Sequence, residues 1–257
     1  LPTDASQRLT NSSLETIVDL DPDVVLAANI TAPEDVRALR ERGVTVYRFR
    51  TATDIGFIYQ KTRLTGRLVD ECDDADARTA ELRAQVDTVR RATAGVDRKL
   101  VLYEFFGFTT NDNYYISDVI EIAGGENLGS RYGQEFEPGT YGYKGQNFGT
   151  QYPDLQDKFA TADPAWIVKP TGAPVPTAFS ATTAVRQNQT VSVNSNFISQ
   201  PAPRVVIAMT QIVRALYPER YRLARLGLLA EEAEGDSGTW EIPYADADPT
   251  YTTVEDG

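Results

Sequence analysis

Apolar residues recur along this chain with two periods, and the order in which those periods alternate outlines a fold. "LETIVDLDPDVVLAAN" carries a short helical pattern through Asp21-Pro22 into an apolar run at about 24–28, which predicts a buried strand. "APEDVRALRERGV" follows, with Pro33 at its start, acids in its first turn, arginines in its last and Gly43 beyond it. That arrangement predicts a helix, because acids complement the positive end of the helix dipole and arginines the negative end. "TVYRFR" (45–50) predicts a second strand. This strand–helix–strand order implies parallel strands joined by a right-handed crossover.

Residues 53–95 show no strand pattern. "TDIGFIYQKTRLTGRLV" predicts one helix with Ile55, Ile58 and Tyr59 on one face. A longer helix is predicted over 72–95, with Ala80, Leu82, Val86 and Val89 as its buried stripe. "RKLVLYEFFGF" (98–108) opens a second strand series. "NYYISDVIEIAGG" then predicts a helix that places Ile116, Val119, Ile120 and Ala123 on one face and stops at Gly124-Gly125. A short helix near 154–161, a strand in "AWIVKP" (165–170), a helix in "PTAFSATTAV" and a strand in "TVSVNS" (190–195) come next. "APRVVIAMTQIVRALYPERY" closes the series as one amphipathic helix. The predicted fold class is α/β: two lobes with central parallel-type sheets, joined by one long helix. The expected boundaries are 1–71 for the first lobe, 72–95 for the connecting helix, 96–230 for the second lobe and 231–257 for an acidic extension with a possible strand at "TWEIPY".

Composition narrows the function. With 41% hydrophobic and 10% aromatic residues the 257-residue chain can build a sizeable core. No run approaches the roughly 18 apolar residues needed to cross a bilayer. The chain opens at Leu1 without a methionine, so a processed or shortened form of a longer product is expected. The 37 acidic residues against 25 basic ones give a net charge of −12, which argues against nucleic acid as a partner. Arginine (20) far outnumbers lysine (5), and aspartate (21) exceeds glutamate (16). That balance suits a protein kept soluble in high salt, where charge repulsion is screened within a few ångströms; an acidic protein from a GC-rich genome is the plainer alternative. The single cysteine, Cys72, forbids an internal disulfide, which favours the cytoplasm, whereas three glycosylation triplets at Asn11, Asn29 and Asn188 favour the cell surface.

The ordered phrases "LETIVDLDPDVVLA", "GVTVYRF", "KLVLYEF", "YYISDVIEIAGGENL", "DPAWIVKP", "TVSVNSNF" and "PAPRVVIAMTQIVRALYPERY" together resemble the helical-backbone class of ABC-transporter solute-binding proteins, over residues 14–221. That class carries iron–siderophores, haem or cobalamin, and the acidic tail and composition resemble its surface-anchored haloarchaeal members. The resemblance implies two lobes bridged by one rigid helix, with the ligand in the cleft between them. It implies a monomeric, extracellular receptor held to the membrane by an anchor outside this chain, with an ABC importer permease and a chelated-metal small molecule as partners. No enzymatic activity, resident cofactor or bare metal is expected. Two departures stand out. Family members begin with a further strand–helix–strand unit, for which "LPTDASQRLTNSS" leaves no room. They also dock through an acid on each lobe; Glu34 or Asp35 matches the first position, but the second falls at Ser199. A surface structural or adhesive protein on the same fold is therefore the competing reading.

The chemistry fits the first reading. Histidine is absent, so no Ser–His–Asp or Cys–His arrangement can form, and a bare zinc or manganese carrier would lack its usual imidazole ligands. No Walker-type Gly-Lys-Ser/Thr is present, and the acid run "DECDDADA" reads as a solvated helix start. Ligands of α/β sheets collect at the carboxyl ends of strands, where "GFTTNDNYY" leaves "LVLYEFF". Tyr114 and Tyr115 offer flat surfaces with hydroxyl handles there, and Asn111 and Asn113 offer amides; capping and packing of their own helix is the alternative. "RYGQEFEPGTYGYKGQNFGTQY" is a second candidate, with Tyr141 and Tyr143 among its aromatics. Arg48 and Arg50 are candidates for carboxylate or catecholate oxygens, and Phe197 for another apolar contact.

Overall fold

A computed structural model describes residues 14–132 and 153–229 of the chain. Asn11, Tyr141, Tyr143, the rest of the Gly- and Tyr-rich segment and the acidic extension lie outside the described residues. The chain divides into two compact units, with the boundary between Thr51 and Ala52.

The first unit holds α1 (Leu14–Asp19), β1 (Val25–Ala27), α2 (Pro33–Glu41) and β2 (Val46–Arg48). As expected, β1 and β2 are parallel, with Val25 beside Val46 and Ala27 beside Arg48. Pro33 starts α2, where its missing N–H costs nothing, and Gly43 follows at φ +84°. Val36 and Leu39 of α2 pack with Ala27, Val44 and Val46 into a small core, flanked by Leu14, Ile17 and Val18 of α1.

The second unit opens with α3 (Ile55–Leu68) and α4 (Cys72–Thr93), which pack on one another. Residues 52–71, read from the sequence as part of the first lobe, thus sit in one unit with α4. The continuous helix expected over 72–95 is present. Its buried stripe is Ala75, Thr79, Leu82, Val86, Val89 and Ala92; Ala80, expected within it, faces solvent. The acid run forms the exposed start of α4. β3 (Lys99–Tyr103), α5 (Tyr115–Ile122), β4 (Gly125–Asn127), α6 (Leu128–Arg131), α7 (Pro153–Thr161) and β5 (Trp166–Pro170) follow. Then come α8 (Thr183–Arg186), β6 (Thr190–Val193), α9 (Ser195–Ile198), α10 (Val205–Leu216) and α11 (Pro218–Arg225). The strands form one parallel sheet in the order β4–β3–β5–β6.

Alternation along β3 divides the core between the faces of this sheet, because successive side chains of a strand point to opposite sides. Val101 and Tyr103 join the cluster that buries α3, α4, α5 and α10, while Leu102 faces Leu128, Leu155, Phe159 and Phe179. Three sequence expectations are corrected. The closing helix divides at Tyr217-Pro218, since proline lacks the N–H and pushes its predecessor into an extended backbone (Tyr217 φ −141°). The helix expected in "PTAFSATTAV" becomes a 3₁₀ turn at Thr177–Phe179 followed by α8. Gly125–Asn127, read only as a helix stop, pairs with β3 as an edge strand.

Candidate functional site

The order β4–β3–β5–β6 fixes where a ligand can gather. The chain passes from β3 to β4 on one side, then crosses to β5 on the other, so the crevice beyond the carboxyl ends of β3 and β5 is the topological switch point. Glu104 stands there, one residue past β3, and its N–H donates to the Val168 carbonyl of β5 at 2.8 Å. Its side chain is 1% exposed. Oε1 accepts the Gly107 N–H at 2.6 Å, and Oε2 is buried with no hydrogen-bond partner among the described residues. Burial pushes the Glu104 pKa up, against the opposing pull of the Gly107 N–H and the Lys169 charge on β5. Lys169 itself donates to the Ala173 carbonyl at 2.6 Å.

The acceptor role of Glu104 secures a tight turn. Phe105 and Phe108 exchange both backbone hydrogen bonds, at 2.8 and 3.0 Å, around Phe106 and Gly107. Both central residues have positive φ, +52° and +85°, the signature of a primed turn that favours Asn-Gly. A phenylalanine held in that region costs about 1–2 kcal/mol. Phe106 is nevertheless 61% exposed and is the one exposed aromatic among the described residues. Its ring meets Phe105 edge-on at 5.1 Å, and Phe105 stacks on Tyr103 at 6.1 Å.

The loop beyond the turn is seated from below. Asn127 donates through Nδ2 to the Thr110 carbonyl at 2.9 Å and to the Ser117 and Ser130 hydroxyls at 3.0 Å. A Cβ on Gly129 would stand 2.0 Å from the Thr110 carbonyl oxygen, so only glycine lets α6 approach this loop. Asn111 is buried, and its Oδ1 accepts the Asn113 N–H at 3.1 Å in a local turn. Asn113 is exposed, and Tyr114 is half-buried at the start of α5.

Several predicted site residues have other tasks. Tyr115 is fully buried, and its hydroxyl donates to the Ile198 carbonyl at 2.5 Å, so it ties α5 to α9 and presents no face to a ligand. Asn111 is likewise committed to its own loop. Arg48 donates to the Thr31 and Asn29 carbonyls at 3.0 and 2.6 Å, clamping the loop after β1 rather than offering a fork to an anion. Tyr114 lies 4.6 Å from Tyr115, ring to ring, and Phe197 is half-buried beside Ile198. The Tyr115–Ile198 bond thus brings the Tyr114 and Phe197 loops together at this edge. Phe105 rests half-buried against the same core. Arg50 is exposed beyond β2. Glu34 (exposed) and Asp35 (half-buried) stand in the first turn of α2. Ser199 is half-buried, with its Oγ enclosed. Asn188 is exposed in a turn at φ +56°, whereas the half-buried Asn29 donates its amide to Thr51 Oγ1 at 3.0 Å.

Glu104, Phe105, Phe106 and Lys169 were not legible as site residues. "YEFFGF" reads as the end of an apolar strand, and only the Phe-Gly pair hints at a turn.

Residues 6–168 match the model of a periplasmic binding protein family. Cobalamin-binding proteins from two strains of Halobacterium salinarum are 34% identical to the chain over 239 residues, or 84% of this chain. The chain spans 61% of the length of these curated relatives. Among solved structures, the periplasmic heme-binding protein RhuT of Roseiflexus sp. RS-1 superposes with a TM-score of 0.66 at 19% identity, covering 81% of this chain and 80% of that one. The periplasmic vitamin B12 binding protein BtuF of Vibrio cholerae gives 0.62 at 18% identity, covering 82% and 78%. These likenesses establish the α/β fold.

Proposed function

This chain belongs to the periplasmic binding protein family, and from that premise we propose that it is an extracytoplasmic receptor delivering a bulky metal chelate, a corrinoid before others, to an ABC importer. The family is one of binding proteins rather than enzymes, working outside the cytoplasmic membrane. Among the described residues no helix is long and apolar enough to cross a membrane. The observation that supports the reading is the set of aromatic residues on the loops that follow the strands: the exposed Phe106 after β3, the half-buried Tyr114 at the start of α5 with the exposed Asn113 next to it in sequence, and the half-buried Phe197 after β6. Aromatic faces with a few amide groups suit a large, flat ligand whose metal is already held by organic groups. The cobalamin-binding Halobacterium relatives favour a corrinoid within that class.

The remaining roles follow from the resemblance. Glu34 and Asp35 are assigned to permease docking, α4 to bridging the lobes, and Arg50 to contact with ligand oxygens. The exposed triplet at Asn188 suits an extracellular surface better than Asn29, whose amide is engaged.

Titration calorimetry in high salt tests the proposal. Cyanocobalamin or a ferric siderophore is expected to bind and free zinc not to. Replacing Tyr114 and Phe106 by alanine should each weaken binding by about 1–3 kcal/mol, the usual size for a lost packed aromatic contact. Binding of free zinc with no response to either chelate would overturn the reading.

A further inference from the structure

We propose that Glu104 is a positioning residue of this site: its buried carboxylate grips the Gly107 N–H, and so holds the Phe105–Phe108 turn with the Phe106 ring presented to the ligand. The inference rests on the receptor reading above and deepens it.

Two costs are placed side by side here, and each explains the other. Phe106 occupies a left-handed backbone (φ +52°) that a phenylalanine disfavours, in a turn whose geometry Asn-Gly would satisfy freely. Its ring gains little from the fold's core, meeting Phe105 edge-on while 61% exposed. Packing and backbone preference therefore both argue against phenylalanine, and a contact outside the chain is what the ring supplies. Glu104 is equally unneeded by the fold. A carboxylate at 1% exposure with one oxygen unsatisfied is costly, and an apolar residue at the end of a central strand would fill the space without that cost. What the carboxylate adds is a short, charge-assisted bond to Gly107, 2.6 Å long, at the second central residue of the strained turn. The strand pairing to Val168 fixes the Glu104 backbone, so the grip is anchored in the sheet.

The charged group acting on Glu104 from the adjoining strand is Lys169, and the turn presents the Gly107 N–H. Both favour the ionised form, while burial outweighs them and raises the pKa. Acidification should therefore protonate Glu104 above the ordinary carboxylate range, weaken the grip and lower affinity.

The test uses the full chain, with cyanocobalamin as the probe and the Gly107 amide proton followed by NMR. Affinity is expected to fall in the order wild type, Glu104→Gln, Glu104→Ala, by roughly 5-fold and 30-fold at neutral pH. The Gly107 amide shift should titrate in the wild type and be flat in both variants. Phe106→Asn, which suits the turn, should melt at a higher temperature than the wild type yet bind at least 10-fold more weakly. Wild-type binding that Phe106→Asn weakens, with Glu104→Gln and Glu104→Ala unchanged in affinity and a Gly107 shift indifferent to Glu104, would overturn the positioning role and leave the receptor reading standing. Absence of binding by the wild type would overturn both.

Discussion

At the scale of single residues, Asp118 shows how one half-buried carboxylate joins distant parts of the chain. Its Oδ2 accepts the Ile55 N–H at 2.7 Å at the start of α3, while Asp54 accepts the Phe57 N–H at 2.8 Å two residues further in. Two carboxylates thus cap one helix, the nearer from sequence and the farther from the fold. Burial raises the Asp118 pKa, with the Ile55 N–H and Arg90 opposing and Asp54 adding to the rise. The folded state therefore binds a proton more readily than the unfolded chain. Ionised Asp118 costs stability at neutral pH, and that cost is relieved as pH falls through its folded-state pKa. Asp118→Asn keeps an acceptor for Ile55 without the half-buried charge. It should be at least as stable as the wild type at pH 7 in urea unfolding, and gain less on acidification. Asp118→Ala removes the cap and should lose about 1–2 kcal/mol. A neutral effect of alanine would show that Asp54 alone suffices.

At the scale of elements, the far end of α4 depends on a clamp from the last helix. Arg220 of α11 donates to the Ala92 and Ala94 carbonyls at 2.8 and 2.7 Å, satisfying acceptors that a helix end leaves open and placing a cation at its negative pole. Tyr217, at the break that Pro218 imposes, donates to the Asp97 and Gly124 carbonyls at 2.7 and 3.0 Å. Breaking the predicted long helix in two is thus what brings Arg220 onto the end of α4 and Tyr217 onto the residues that lead into β3 and β4. Arg220→Ala should cost about 1–2 kcal/mol in thermal or urea unfolding, and Arg220→Lys less than that. Hydrogen exchange should localise the loss to the last turn of α4. Uniform loss of protection across the sheet would place the effect elsewhere.

At the scale of the whole molecule, the net charge of −12 governs conditions rather than architecture. Exposed ion pairs such as Arg63–Asp76 and Arg222–Glu219 each contribute little, and with 37 acids against 25 bases the acids repel one another on balance. Screening shortens the range of the remaining repulsion from about 10 Å at 0.1 M salt to about 3 Å at 1 M. The melting temperature should therefore rise by on the order of 5 °C between those salt concentrations, a shift of a kilocalorie or two for a unit of this size. A neutral osmolyte at matched osmolality should not reproduce the rise if the cause is charge. If it does, hydration rather than repulsion sets the stability.

The sequence by itself determined what depends on neighbours along the chain. Apolar spacing set the long α4 and the buried face of α5, where Ile116, Val119, Ile120 and Ala123 are fully enclosed. Proline and glycine marked where α2 begins and ends, and the lack of histidine removed whole classes of chemistry. Tertiary structure alone decided what depends on contacts between distant segments. Gly125–Asn127 has no strand propensity of its own and becomes β4 only because β3 offers it a hydrogen-bonded edge, and that edge creates the switch point. Tyr114 and Tyr115 look alike in sequence, yet one lies half-exposed and the other is consumed by a bond to Ile198, 83 residues away. Glu104 and Phe106 look like strand residues until the turn exposes the ring and the sheet closes over the carboxylate. Burial and backbone sign are properties of the folded surroundings, and no local pattern encodes them.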